Sequence, residues 1–308
     1  MAEASIPVDL FNPGQVFACL GFMEAAELLI GSVEAGFDWS SPGAVRFRLR
    51  AEGDEDPVRV VLGFLAEAKV SAWLSEAEAF DVKKWGKPPS KDKPARPFSI
   101  EEWGTSWNIK SCVDREPVFP FGFPDGPDVL PARLEARGKL LTVEHWGDAS
   151  RRDPFKLWAG SGGMPGVAIL ARALALAQPE LCDRMEAIAA DPFARAAPLP
   201  SGFRLDWRRD YVALDSGFSP NYHRAITPEG FPLVEILAVI GLQNARPERM
   251  GPLDYRYGVA AGILPPLLMR AALGAVDLPV PMRRFRMRLG WPGKEGQARC
   301  ILDSIEER

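Results

Sequence analysis

Residues 6–31, IPVDLFNPGQVFACLGFMEAAELLIG, decide the fold of this chain. An extended lead-in reaches Asn12-Pro13-Gly14, which predicts a sharp turn because proline fixes φ and glycine tolerates positive φ. From Gln15 to Ile30 only three side chains are strongly polar. A helix that is apolar on nearly every side belongs in a protein interior, so we expect it to be buried. Its small residues, Gly21 among them, would let a neighbouring element approach closely.

The size and composition of the chain predict a cytoplasmic protein that does not enter a membrane. Its 308 residues, 47% hydrophobic and 25% charged, suit one large domain or two intimate ones. The longest apolar run lies within the first helix and falls short of the ~20 residues that a membrane span needs. The amino terminus, MAEASIPVDLF, lacks a basic segment ahead of an apolar stretch, so we expect no secretory signal.

Neither the cysteines nor the charge balance indicates a particular ligand. Four widely spaced cysteines, without a Cys-x-x-Cys pair, suggest no zinc site and no disulfide framework, and we predict no metal and no cofactor. The formal charge of −4 is unevenly spread: 5 basic against 13 acidic residues in 1–80, 17 against 16 in 81–200, and 15 against 12 in 201–308. Any nucleic-acid contact must therefore depend on local basic surfaces.

Helical and strand patterns are mixed without regular βαβ alternation, which favours an α+β fold with a mixed, mainly antiparallel sheet and packed helices. A proline-rich link at 192–200 predicts an N-terminal α+β region, 1–191, and a C-terminal α+β region, 201–308, unless the two form one continuous domain. The patterns predict strands at 44–50, 139–145 and 203–214, helices from Pro57, at 165–178, from Pro179, at 231–243 and from Pro265, and a C-terminal β-hairpin at 280–290 and 297–305.

Two of the predicted strands alternate arginine with apolar residues. The period of two in a strand sends Arg46, Arg48 and Arg50 to one face and the apolar residues to the other. The hairpin strand repeats the pattern with Arg284, Arg286 and Arg288. Arginines two apart stand about 7 Å from one another, close to the spacing of neighbouring phosphates on a single strand, and arginine binds phosphate oxygens in a bidentate manner.

The arginine strands have a simpler interpretation, a solvated outer face of an antiparallel sheet paired with acidic neighbours. Near the second strand in the sequence, the only acids are Glu295 and Asp303. Two further stretches could bind nucleic acid: a proline-rich loop, 83–97, and the residues before a glycine-rich turn at 160–163. The loop has basic residues around an aromatic ring, as single-strand binding requires, but such loops also serve as plain linkers. The candidate residues in these stretches are Lys83, Lys84, Trp85, Lys87 and Lys156.

Catalytic candidates are few. The turn at 160–163 lacks the ending of a Walker A loop, and the only two histidines, His145 and His223, cannot fill the ligand set of a metal-dependent nuclease. His223 could act as an acid or base in metal-independent RNA cleavage, or be structural. We place Glu235 in a structural role, satisfying buried polar groups at the end of its helix. We therefore predict that the chain is not an enzyme.

Three blocks of the sequence resemble a CRISPR-associated protein family of type I-U systems, also called type I-G. The blocks are NPGQVFACLG at 12–21, FKLWAG at 155–160, and PLVE at 232–235 continuing through GLQ at 241–243 to Arg246-Pro247. They span most of the chain but include a minor part of its residues. The resemblance implies antiviral defence, with CRISPR RNA or target nucleic acid and other type I-U subunits as partners.

Taken with the residues, the resemblance predicts a non-catalytic protein that handles crRNA or its target, in or beside the effector complex. Two alternatives stay open at this point. One is a metal-independent endoribonuclease that processes CRISPR RNA through His223. The other is a protein-interaction subunit without nucleic-acid contact.

Overall fold

The computed structural model describes residues 1–41, 43–72, 132–143, 166–199, 202–208, 228–290 and 300–307. Within these residues the helices are α1 (Pro13–Leu29), α2 (Pro57–Glu67), α3 (Gly166–Ala190), α4 (Pro232–Gly241) and α5 (Pro266–Leu273). The strands are β1 (Ala2–Pro7), β2 (Val33–Asp38), β3 (Arg46–Ala51), β4 (Lys69–Ala72), β5 (Ala132–Ala136), β6 (Lys139–Val143), β7 (Ala197–Pro198), β8 (Glu229–Gly230), β9 (Glu248–Gly251), β10 (Asp254–Ala260), β11 (Met282–Gly290) and β12 (Cys300–Glu307).

The strands form four antiparallel sheets, in the orders β1-β3-β2, β4-β5-β6, β7-β8 and β12-β11-β10-β9. Helices pack beside them, so the predicted α+β class is confirmed. The predicted C-terminal hairpin is also confirmed, since β11 pairs antiparallel with β12. The second hairpin strand begins at Cys300.

Two predictions of secondary structure are wrong in detail. A second helix does follow in this stretch, but it does not start at Pro179: helical backbone continues through the proline, and α3 consists of two helical parts joined by a kink at Arg184. Apolar residues on both sides of the proline, such as Leu174 and Leu181, are buried in the core, and packing of this kind provides most of a helix's stability. The described part of the strand predicted at 203–214, residues 203–208, is irregular.

Helix α1 lies in the core, as its sequence predicts. All 14 residues from Pro13 to Ala26 are buried. Burial raises the pKa of the Cys19 thiol in this helix. The largest helix contact of α1 is with α4, and the same apolar cluster includes residues before and after the proline-rich link at 192–200. The proposed division at that link stays a prediction.

Glycines allow the backbones of α1 and α4 to touch. A Cβ atom on Gly21 would lie 1.9 Å from the carbonyl oxygen of Leu237 in α4. A Cβ atom on Gly241 would lie 2.0 Å from the carbonyl oxygen of Phe17 in α1. Both distances are far below van der Waals contact, so only glycine fits at either position.

A network of buried hydrogen bonds joins the start of α1 to the irregular segment 202–208. The Asn12 side chain accepts from the Gly14 N–H at 3.1 Å and donates to the Asp206 carboxylate at 2.8 Å. The buried carboxylate of Glu235, in the first turn of α4, accepts from the N–H groups of Arg204, Leu205 and Asp206 at 2.7–3.1 Å. The structural role predicted for Glu235 is confirmed, but its predicted place is wrong, since the groups that it satisfies lie beside the start of α4 and not at the end of the helix. Because these N–H groups bond to a carboxylate, they are not free to join a sheet, which explains why the described part of the predicted strand is irregular.

We expect Gly21→Ala and Gly241→Ala each to lower the free energy of unfolding by about 2 kcal/mol or more, because the new methyl group meets backbone that cannot move without separating the helices. Urea denaturation of the purified chain measures the change. Gly63→Ala in α2 is the matched control, since the nearest atom to its Cβ is a flexible Arg137 nitrogen 3.9 Å away. That variant should gain about 0.5–1 kcal/mol, the usual benefit of replacing a helical glycine. Equal responses of the three variants would contradict the close contact.

Candidate nucleic-acid interface

The arginines of β3 lie on the outer face of its sheet. Phe47, Leu49 and Ala51, which alternate with them, are fully buried, so the period of two is observed. The outer face is already bonded to β1: Arg48 Nε donates to Glu3 Oε1 at 2.7 Å, and Arg50 Nε to Glu3 Oε2 at 2.6 Å. These bonds, the one from Arg48 first, lower the pKa of the Glu3 carboxyl.

Arg46, at the start of the same strand, bonds to an uncharged partner. Its Nε donates to Ser5 Oγ at 2.7 Å and its Nη2 to the Ser5 carbonyl oxygen at 2.5 Å. On the other side of β3, the strand β2 sets Glu34 directly opposite Arg50 and Asp38 directly opposite Arg46. The three arginines therefore share this face with three carboxylates, those of Glu3, Glu34 and Asp38.

Each arginine on the outer face of β11 has a carboxylate partner. Arg286 Nε donates to Asp254 Oδ1 at 2.8 Å, Arg288 Nε donates to Asp303 Oδ1 at 2.9 Å, and Arg284 pairs with Asp277. The side chains of Arg286 and Arg288 are nevertheless 53% and 60% exposed to solvent. Their bonds to the carboxylates use only Nε and Nη2. Both guanidinium groups therefore remain accessible to a ligand from solvent.

The prediction that Glu295 and Asp303 are the only acids near this strand is wrong, since it omits Asp277, which lies shortly before β11 in the sequence, and Asp254, which is remote in the sequence. Asp254 lies directly opposite Arg288 in the register of β10 and bonds diagonally to Arg286. Asp277 comes from the loop that precedes β11. The hydrogen bond from Arg286 lowers the pKa of the Asp254 carboxyl, and the bond from Arg288 lowers that of Asp303.

Arg256 adds a fourth arginine to this face. It lies directly opposite Arg286, an arrangement of like charges that disfavours strand pairing unless acids intervene. Arg256 Nε donates to Glu307 Oε2 at 2.5 Å, across the middle strand, and Nη1 donates to Glu248 Oε2 at 3.3 Å. The arginines of this face are thus balanced by carboxylates, and exposed Ile305 lies beside Arg286 in the next strand. We call the outer face of β9–β12 the arginine face.

Two bridges join the sheets that carry the arginine strands. Ala35 exchanges two backbone hydrogen bonds with Leu264, each 2.8 Å long, and Phe37 forms a parallel bridge with Ala261. Gly36 allows this approach, since a Cβ atom there would lie 1.5 Å from the Gly262 carbonyl oxygen. The strand β2 therefore connects its own sheet to the segment that follows β10.

The other predicted site residues, Lys83, Lys84, Trp85, Lys87 and Lys156, lie outside the described residues, as do His145 and His223. The predictions that name them stay predictions. In the described ranges, no group of three or more His, Cys, Asp or Glu side chains could hold a metal ion. No helix there combines the length and hydropathy needed to cross a membrane.

Neither a protein-family model, a curated protein nor a solved structure matches this chain. The resemblance to type I-U proteins therefore stays a prediction carried by the three sequence blocks. The structure gives the first of them, at Asn12-Pro13-Gly14, a clear folding role: Asn12 caps α1, and the Gly14 Cα lies against the backbone of Leu205.

Replacing Arg286 and Arg288 by glutamine should raise the pKa values of Asp254 and Asp303 toward their ordinary range, because the charged donors that favour the carboxylate are removed. Carboxyl ¹³C NMR titration measures both values. Since the folded pKa of each acid is lowered, its stabilising effect is present above the ordinary pKa of 3.8 and is lost as the pH falls through the folded pKa. The stability difference between parent and variant should therefore shrink in acid.

Arg137→Gln is the matched control for this titration. Arg137 is exposed and lowers the pKa of its own partner, Glu67. This change should move the pKa of Glu67 and leave those of Asp254 and Asp303 in place. Unchanged pKa values in the double variant would show that the pairs on the arginine face do not persist in solution.

Proposed function

We propose that this chain is a non-catalytic CRISPR-associated protein of a type I-U system, which handles crRNA or target nucleic acid in or beside the effector complex. The observation that carries the nucleic-acid part is the exposure of Arg286 and Arg288, two guanidinium groups spaced along one strand. The link to CRISPR depends on the sequence blocks. The partners would be CRISPR RNA or its target and other type I-U subunits, in the cytoplasm.

The chemistry of the arginine face suits a backbone contact that does not depend on base sequence. Neighbouring outward residues of β11 are about 7 Å apart, so successive phosphates of an extended strand could each meet one arginine. Each guanidinium bonded through Nε and Nη2 still has further N–H donors. A phosphate can therefore bind without first displacing the aspartate, although displacement would free the bidentate edge of the guanidinium.

A second candidate function, a protein-interaction subunit without nucleic-acid contact, is favoured by the charge balance of the same face. Arg256, Arg286 and Arg288 all have carboxylate partners, which lowers the attraction for a polyanion. The exposed apolar side chain of Ile305 beside them is the kind of residue that contributes to a protein contact. The two functions predict different salt dependence.

We expect the triple change of Arg284, Arg286 and Arg288 to glutamine to weaken binding to single-stranded repeat RNA. Removing one phosphate-binding arginine should reduce the slope of log affinity against log salt by ~0.7, so the slope should fall by up to about 2 in the triple variant. Fluorescence anisotropy over a range of salt concentrations measures both the affinity and the slope. The assay uses the full chain alone and in the complex formed with co-expressed proteins from neighbouring genes.

The matched control replaces Arg59, Arg137 and Arg184 by glutamine. These arginines are also exposed and paired with carboxylates, and they lie away from the arginine face, so the change in net charge is identical. An equal effect of the two triple variants would indicate a general charge effect and remove the arginine face from the proposal. RNA-free complexes that assemble normally would support the protein-interaction function instead.

A further inference from the structure

A groove of about 410 Å³ lies between the second half of α1, the end of α4, β6 and α5. Its volume falls in the range of sites that hold small ligands. The arginine-face residues do not line it, so it is a separate feature of the surface. Its described lining combines charged, polar and apolar side chains.

Two of the lining residues, Glu24 and Arg270, form a buried ion pair. The carboxylate of Glu24 is almost completely buried in α1, and Arg270 of α5 donates to its two oxygens at 2.7 and 2.8 Å. Asn244, after the end of α4, donates to Glu24 Oε2 at 2.5 Å. Glu24 is therefore fully engaged, and its role is to hold α1, α4 and α5 around the groove.

Glu27, one turn further along α1, is different. Its side chain is 42% exposed, and only Oε2 accepts from Arg270 Nη2, at 2.5 Å. Its other oxygen, Oε1, has no hydrogen bond from the part of the chain that the structure describes. The charged residues of the described lining are Glu24, Glu27 and Arg270, so this part of the lining has an excess of one negative charge.

The lining also includes two exposed leucines. Leu28 of α1 is 47% exposed and Leu140 of β6 is 43% exposed, and both line the groove. Large aliphatic side chains that stay in water beside a carboxylate with an open oxygen suit a ligand that is itself apolar along its length and cationic at its end. Lysine side chains and alkylamines have this form.

We propose that the groove binds a primary alkylammonium group, with the ammonium on Glu27 Oε1 and the carbon chain between Leu28 and Leu140. The group belongs either to a lysine side chain of a partner polypeptide or to a free alkylamine. A guanidinium fork fits less well, because it needs two carboxylate oxygens in one plane and Arg270 already holds Oε2. This inference does not depend on the proposed CRISPR function.

The test is a calorimetric titration of the full chain with n-pentylamine hydrochloride at neutral pH, together with ¹³C-methyl spectra of its leucines. Pentylamine should bind and shift the methyl signals of Leu28 and Leu140. Glu27→Gln should weaken binding by about tenfold, the effect expected when a charged hydrogen bond is removed. Glu186→Gln is the matched control and should bind as the parent does, because Glu186 is an exposed glutamate of α3 that pairs with Arg59 of α2.

Further measurements separate the contribution of the charge from that of the leucines and identify the source of the amine. Neutral 1-pentanol should bind far more weakly than pentylamine. Leu140→Ser should weaken the binding of pentylamine without unfolding the chain, because position 140 is exposed. A blocked Leu-Lys-Leu peptide that binds tighter than spermidine would assign the site to a lysine of a partner; the reverse order would assign it to a free amine. Binding of pentylamine unaffected by Glu27→Gln, equal binding of pentanol, or no methyl shift up to the solubility limit would overturn the proposal.

Discussion

The contact between the backbones of α1 and α4 is the constraint on which the rest of this structure depends. The two helices approach so closely that glycine is required on both sides, at Gly21 and Gly241. The approach leaves no room for water at these two glycines, and α1 is buried from Pro13 to Ala26. The sheets then lie around this pair: Phe17 of α1 meets the ring of Tyr257 edge-on, and Tyr257 donates from its hydroxyl to the Leu10 carbonyl oxygen at 2.7 Å.

A nearly apolar helix buried this deeply can keep polar residues only where each has a partner, since an unpaired buried polar group costs roughly 1–3 kcal/mol. Gln15 accepts from the Asp9 N–H at 2.8 Å, and Glu24 bonds to Arg270 and Asn244. These partners come from the lead-in, from α5 and from the end of α4. The polar residues of α1 therefore specify which elements surround it, whereas its apolar residues supply the burial.

The sequence predicts best what depends on local patterns. The turn at Asn12-Pro13-Gly14, the burial of α1 and the alternation along β3 and β11 all follow from the residues themselves. Prediction fails where a distant group decides the outcome: the Glu235 carboxylate takes the backbone donors of Arg204 to Asp206, and packing carries α3 through Pro179. Nothing near these residues in the sequence reveals their partners.

The arginine face shows the same limit for function. Alternation correctly places the arginines of β11 outward. The register of β10, however, sets Asp254 opposite Arg288, from where it bonds diagonally to Arg286, and a tethered carboxylate acts at a high effective concentration. A phosphate can replace the aspartate at the bidentate edge of the guanidinium only through several contacts made together and through the release of counterions. A single strand that spans the arginines meets both conditions, while an isolated phosphate meets neither. The proposed binding at this face should thus depend steeply on the length of the nucleic acid, a dependence that one arginine paired with one aspartate cannot produce.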